Sequence, residues 1–146
     1  MQKLPDAEFS RICGIDYGEK RIGIALSDPT FTFAYSFLTI KNDAKVWQAL
    51  DSVISEKKII RIILGYPTDY SAKSSITSGK VIQFKDEIIK RFNIEIILWD
   101  EKYTSAIAQR RINESVWKRS SRRKKGIIDS ESAAVILQEY LDSLKK

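Results

Sequence analysis

The sequence predicts an α/β fold: a mixed five-stranded sheet, antiparallel in its first three strands, then alternating helices and strands, with helices on both faces. Three observations carry this. Residues 11–38 hold one short apolar run and two runs with apolar side chains at every second position, separated by turn residues, the pattern of an antiparallel meander. Two short, nearly continuous apolar runs follow, IIRIIL at 59–64 and IEIILW at 94–99, as expected for strands buried on both faces. Each is preceded by an amphipathic helical stretch. A strand that returns to the sheet through a helix lies parallel to a neighbour, so the last two strands make the sheet mixed.

Residues 1–10, with Pro5, read as a poorly ordered lead-in to one domain over 11–146. In RICGIDYGEKRIGIALSD, from Arg11 to Asp28, Ile12, Cys13 and Ile15 supply the first strand. Ile22, Ile24 and Leu26 alternate with Arg21, Gly23 and Ala25 in the second, and Gly18 takes the turn. Gly23 lies inside a strand, where a glycine weakens the element and marks close approach of another backbone or a ligand. Asp28-Pro29 turns the chain. Phe31, Phe33, Tyr35 and Phe37 then alternate with Thr32, Ala34, Ser36 and Leu38, a third strand with one aromatic face. Asn42 or Asp43 is placed to cap a helix whose Val46, Leu50, Val53, Ile54 and Lys57 share a stripe. IIRIIL ends at Gly65-Tyr66-Pro67, and a hydroxyl-rich loop spans 68–75. A second helix carries Val81, Phe84, Ile88 and Phe92 on one face, and IEIILW runs directly into Asp100-Glu101. Thr104 or Ser105 can cap a third helix bearing Ile107, Ala108 and Ile112. SVWKRSSRRKK, 115–125, has no apolar period and reads as a mobile loop. Asp129 or Ser130 starts a last helix that turns Ala133, Leu137, Tyr140, Leu141 and Leu144 to the core. The ribonuclease-H-like architecture has this order of elements.

The 146 residues suffice for one domain with a proper core, and 43% apolar with 30% charged residues is ordinary for a soluble globular chain. No apolar run approaches a membrane span, MQKLPDAEFS lacks the core of a signal peptide, and the lone Cys13 has no partner for an internal disulfide. A cytoplasmic location is expected. The absence of histidine removes Ser-His-Asp and Cys-His catalysis, His-based zinc sites and histidine cleavage of RNA. Hydrolysis here must rest on carboxylates, lysines or hydroxyls, with a metal. The net charge of +6 is local: nine cations and one acid, Glu114, lie between Lys102 and Lys125, leaving −2 for the rest of the chain. Such a segment favours a local anionic partner.

In the ribonuclease-H-like architecture the first strand lies beside the fourth and the fifth beside the fourth. Ligands then gather beyond the carboxyl ends of the parallel strands. Asp16 ends the first strand, Asp100-Glu101 follow the fifth, and Asp129 begins a helix that can pack across the same rim. Their oxygens suit a hard cation such as Mg²⁺ (or Mn²⁺). Two such ions about 3.5–4 Å apart can clamp both oxygens of a phosphodiester displacement. Each acid has a plainer reading: Asp16 satisfied by turn amides, Asp100-Glu101 solvated in a loop, Asp129 a helix cap. Their joint placement, facing a basic segment, favours a site.

Together GIDYGEKRIGIALSD, LGYP, WDEKYTS and IDSESAAVILQEYL resemble the four motifs of the YqgF/RuvX family of pre-16S rRNA nucleases and Holliday-junction-resolvase-like proteins, in the same order, from about Arg11 to Leu141. The resemblance implies a ribonuclease-H-like fold and a metal-dependent endonuclease. It implies hydrolysis of phosphodiester bonds in a ribosomal RNA precursor, during ribosome biogenesis. It matches Asp16, Glu101 and Asp129 to the catalytic and metal-binding acids, with Asp100 a weaker candidate for the metal. Lys102 stands where the family usually has arginine, and TDYSAKSS lacks the glycine usual in that loop. Lys102, Arg110, Arg111, Lys118, Arg119, Arg122, Arg123, Lys124 and Lys125 are candidates for phosphate contacts. Trp117, with no stripe to bury it, is a candidate for stacking on an unpaired base. Structured or single-stranded RNA is the preferred partner, within ribosomal precursor particles, and no membrane is expected. One alternative is a Holliday-junction resolvase acting on branched DNA. Another is a non-catalytic nucleic-acid or ribosome-binding module on the same fold. A third takes DYGEKRIG as the phosphate loop of an actin-like or sugar-kinase-like ATP-binding domain, but those proteins need two such domains and this length supplies one.

Overall fold

The computed structural model describes residues 10–66, 72–100 and 121–145, with backbone alone over 72–76 and 121–128. β1 (Arg11–Asp16), β2 (Arg21–Ser27) and β3 (Ala34–Lys41) form the expected antiparallel meander. β4 (Ile59–Tyr66) pairs parallel to β1, and β5 (Glu95–Asp100) parallel to β4, giving the order β3-β2-β1-β4-β5. Helices α1 (Val46–Glu56) and α2 (Ala72–Phe92) precede β4 and β5, and α3 (Ser121–Ser143) comes last among the described elements.

The pleat divides the sheet's apolar residues between two cores. Cys13, Ile15, Ile22, Ile24, Leu26, Ile62 and Leu64 meet α1 and α2 through Val46, Leu50, Val53, Val81, Phe84 and Ile88. Ile12, Ala25 and Ile63 meet α3 through Ala133, Ala134, Ile136, Leu137, Tyr140 and Leu141. Full burial of each large aliphatic side chain stabilises by about 1.5–3 kcal/mol. Burial also pushes the Cys13 thiol up to about 12, so it sits in its core as a neutral hydrophobe.

Several boundaries differ from the sequence expectation. β3 starts at Ala34 because Asp28 organises a loop ahead of it: its carboxylate accepts the amides of Thr32 (2.8 Å) and Phe33 (2.9 Å) and the Thr30 hydroxyl. Burial opposes the charge on Asp28, but these donors outweigh it and hold the carboxyl below its usual range. The four rings do not share one face: Phe33 is 66% exposed, Tyr35 42% and Phe37 36%, whereas Phe31, ahead of the strand, packs against the α3 core. Asn42 does not cap α1; its Nδ2 donates to the Gly18 carbonyl (2.9 Å), while Asp43 Oδ1 accepts the Lys45 amide (2.9 Å). α2 starts at Ala72, inside the stretch read as loop. Residues 95–100 form an edge strand, half-buried, where full burial is expected from the apolar run. Leu144 lies past the end of α3 and is 52% exposed. The largest difference is that α3 begins at Ser121, so 121–125 are helical where a loop is expected. Arginine and lysine are good helix formers without any apolar period. The lead-in 1–9 and the helix expected over 104–112 lie outside the described residues, and Ser10 is already buried. No described helix is long and apolar enough to cross a membrane.

Candidate active site

Two glycines bring α3 down onto the sheet. A Cβ at Gly14 would lie 2.7 Å from the Ala133 carbonyl oxygen and 2.8 Å from Leu137 Cβ; one at Gly23 would lie 2.0 Å from the Asp129 carbonyl oxygen. Gly23 is therefore the site of close backbone approach that its place in a strand implies. Asp16 is paired directly with Gly23 in the β1–β2 register. Directly opposed residues point to the same face, and Asp16 shares the face of Gly14 two positions away. Along α3, Asp129 is four residues before Ala133. Two strand residues advance about 6.6 Å and four helical residues about 6 Å, so Asp16 and Asp129 stand at the same level on the same face.

Asp129 lies about two turns inside α3, so it is not the cap that its preference for helix starts suggests. Its Oδ2 accepts from Arg21 Nε at 2.8 Å, in a pair 39% exposed at Arg21 and 24% at Asp129. Arg21 opens β2 just after the turn, and that turn is tied to α2 by an ion pair from Lys80 to Glu19 at 2.9 Å. Sequence reasoning misses Arg21 as a site residue. It stands within GEKRIG, but its partner is 108 positions away.

Asp100 reaches the same rim on the other face. Gly65 pairs with Trp99 and Tyr66 with Asp100. Trp99 turns toward α3, its ring edge-on to Tyr140 with centroids 5.6 Å apart and its Nε1 donating to Glu139 at 3.1 Å. Strand alternation then sends Asp100 to the face of Tyr66, away from that of Asp16. Glu101, Lys102, Arg110, Arg111, Trp117, Lys118 and Arg119 lie outside the described residues. Arg122, Arg123, Lys124 and Lys125 occupy the first turns of α3. Among the described residues no three acidic, histidine or cysteine side chains gather as a cation cage.

The family model "RuvX: Holliday junction resolvase" matches residues 10–143. The chain belongs to the RuvX family. A relative from Thermoanaerobacter pseudethanolicus is 38% identical over 137 residues, 92% of this chain and 98% of its own length. One from Ruminiclostridium cellulolyticum is 38% identical over 137 residues, 92% of this chain and 95% of its own. Both are described as "putative pre-16S rRNA nuclease". Among solved structures, T. thermophilus RuvC in complex with a Holliday junction substrate aligns over 93% of this chain and 96% of its own, with TM-score 0.58 and 12% identity. Fowlpox virus resolvase with its Holliday junction DNA covers 93% and 99%, with TM-score 0.53 and 19% identity. Those two likenesses are of fold, and the mixed sheet flanked by helices is ribonuclease-H-like. As a RuvX member the chain is a hydrolase, a nuclease.

Proposed function

We propose that the chain is a metal-dependent endonuclease that processes a ribosomal RNA precursor, with residues 11–146 forming one nuclease domain and Asp16, Glu101 and Asp129 at its centre. The observation that carries the reading is the seating of Asp129 on Gly23, directly across from Asp16. Two carboxylates from opposite ends of the chain meet at one sheet rim with Arg21 on one of them, and all-oxygen donors suit a hard cation. Asp16 and Asp129 would hold Mg²⁺ or Mn²⁺ together with Glu101; Asp100, on the other face, is not included. A divalent cation bound there supplies charge stabilisation on the phosphate and lowers the pKa of water. Arg21 fixes the orientation of the Asp129 carboxylate by holding one of its two oxygens. Lys102, Arg110, Arg111, Lys118, Arg119 and Arg122 to Lys125 would hold the flanking phosphates, with Trp117 stacking on a base. RNA as substrate, inside precursor particles in the cytoplasm, is supported by the description shared by the curated relatives. The junction complexes of the two structural neighbours favour branched DNA as a second reading.

Asp16→Asn tests the centre. The change is nearly isosteric, so the fold and nucleic-acid binding should persist while cleavage falls by orders of magnitude. Wild-type cleavage by this variant in Mg²⁺ would sink the metal-centred mechanism. Precursor rRNA fragments and four-way DNA junctions, assayed side by side with Mg²⁺, Mn²⁺ and chelator, separate the substrates. RNA should be cut faster. Paired, symmetric cuts in the junction by a stable dimer would reverse that reading.

A further inference from the structure

The β3 edge of the sheet carries aromatic rings and cations that the catalytic reading does not use. Arg11 opens β1 and Asp16 ends it, so Arg11 lies roughly 17 Å along the strand from Asp16 at about 3.3 Å per residue; the groove beside it runs back to the level of Ile22, on the α1 and α2 face and so opposite to the face of Asp16. β3 is the edge strand there. Tyr35 pairs with Leu26 and so faces α1 and α2, and it accepts a hydrogen bond from Arg11 Nη1 (3.0 Å) at its hydroxyl. The register of β2 and β3 shifts next to Ala25, and Phe37 and Leu38 line one groove as neighbours. That groove, about 240 Å³, runs between β3 and α1 over Ile40, Ala49 and Val53. It adjoins a second hollow of about 430 Å³ lined by Arg11, Glu56, Lys57 and Lys58, and Glu56 and Lys57 border both. Lys57 Nζ stands 5.3 Å from the centre of the Phe37 ring.

Exposed rings on a strand, interleaved with cations, have the chemistry of a single-strand platform: ring faces stack on bases and the cations take the phosphates. Arg11, Lys57 and Lys58 outnumber Glu56, so the hollow is net positive. A protein partner fits less well. The register shift and the terminal Lys41 both oppose edge-to-edge strand pairing. We propose that the β3–α1 edge is a second nucleic-acid-binding surface, which holds an unpaired, single-stranded stretch of the substrate through Tyr35, Phe37, Lys57 and Arg11. It shares with the catalytic reading only that the ligand is nucleic acid.

The test reads binding of the full chain to a labelled single-stranded uridine dodecamer in chelator, where no cleavage is required. Failure of the catalytic reading would appear with Asp16→Asn and not here. Tyr35→Ala with Phe37→Ala should raise Kd about tenfold or more. Phe37→Leu keeps the groove filled and removes the stacking face; it should weaken binding too, and it serves if the double variant does not fold. Lys57→Ser should flatten the salt dependence by about 0.7 per phosphate that is no longer neutralised. Ultraviolet crosslinking should place the RNA on the segment holding Tyr35 and Phe37. Wild-type affinity in folded ring variants, with crosslinks elsewhere, would overturn the proposal. So would a dimer that the ring variants dissociate without change in RNA affinity, because this edge would then bind a second copy of the chain.

Discussion

At the scale of single residues, Asp129 and Arg21 show why an ion pair can matter more for geometry than for stability. A partly exposed pair of this kind contributes about 0–1 kcal/mol. The same contact fixes a side-chain rotamer on a helix whose apolar residues and later hydrogen bonds, from the Ala34 amide to Gln138 and from Trp99 to Glu139, hold it to the sheet. Asp28 is the contrasting acid, whose hydrogen bonds serve the fold. Its carboxyl is held below its usual range, so its stabilising effect is complete above the unfolded value of about 3.9 and is lost as pH falls through the lower folded value. Asp28→Ala should therefore cost about 1 kcal/mol at neutral pH, the donors being partly exposed to water. Thermal melts from pH 2 to 7 should show the gap between wild type and variant closing below about pH 4. A constant gap across that range would mean that the carboxylate's charge plays no part in organising the loop before β3.

At the scale of elements, the decisive contact is α3 on β1 and β2. A Cβ at Gly23 collides with backbone, which cannot rotate away as a side chain can. Gly23→Ala should thus lift the first half of α3, cost about 1–3 kcal/mol or more as an overpacked contact, and cut cleavage sharply by separating Asp129 from Asp16. Gly79→Ala is the control: beyond the adjoining residues and backbone of its own helix nothing lies within 4 Å of its Cβ position, and an alanine in α2 should add up to about 1 kcal/mol. Equal melting temperatures and equal cleavage for the Gly23 variant would show that the helix does not set the site. The strands of this arrangement are legible in the sequence because alternation fixes both their extent and their faces. Gly23 is legible as a point of close approach, since a glycine inside Ile22–Leu26 has no other use there. What approaches it is not legible. SRRKKGIIDS has helix-forming side chains without an apolar period, so the start of α3, and with it the mid-helix place of Asp129, leaves no pattern to read. Arg21 and Asp129 are similarly opaque, because an ion pair across 108 residues exists only once the sheet is assembled. Asp100 is ambiguous in sequence for a different reason: only the β4–β5 register says which face of the sheet it takes.

At the scale of the whole molecule, charge is the organising feature. The segment from Lys102 to Lys125 holds nine cations and one acid, while the remainder sums to −2. Arg122, Arg123, Lys124 and Lys125 stand on α3 four to seven residues ahead of Asp129, roughly 6–11 Å along the helix axis. Cations in the opening turns of a helix oppose its macrodipole, so stability does not explain their position. Phosphate contact beside the acids, as in the proposed function, would explain it. Replacing these four residues with serine should weaken binding of single-stranded substrate and reduce its logarithmic salt slope by about 0.7 for each phosphate left without its cation, up to about 2–3 if all four engage. The melting temperature should change little, since the lower helix propensity of serine is offset by relief of the unfavourable charge–dipole interaction and no described core residue is touched. Titrations of binding against salt, run in chelator so that cleavage plays no part, measure the slope directly. An unchanged slope with unchanged affinity would mean that the substrate reaches Asp16 and Asp129 by a path that bypasses the start of α3, leaving the cations earlier in the segment to carry the phosphates.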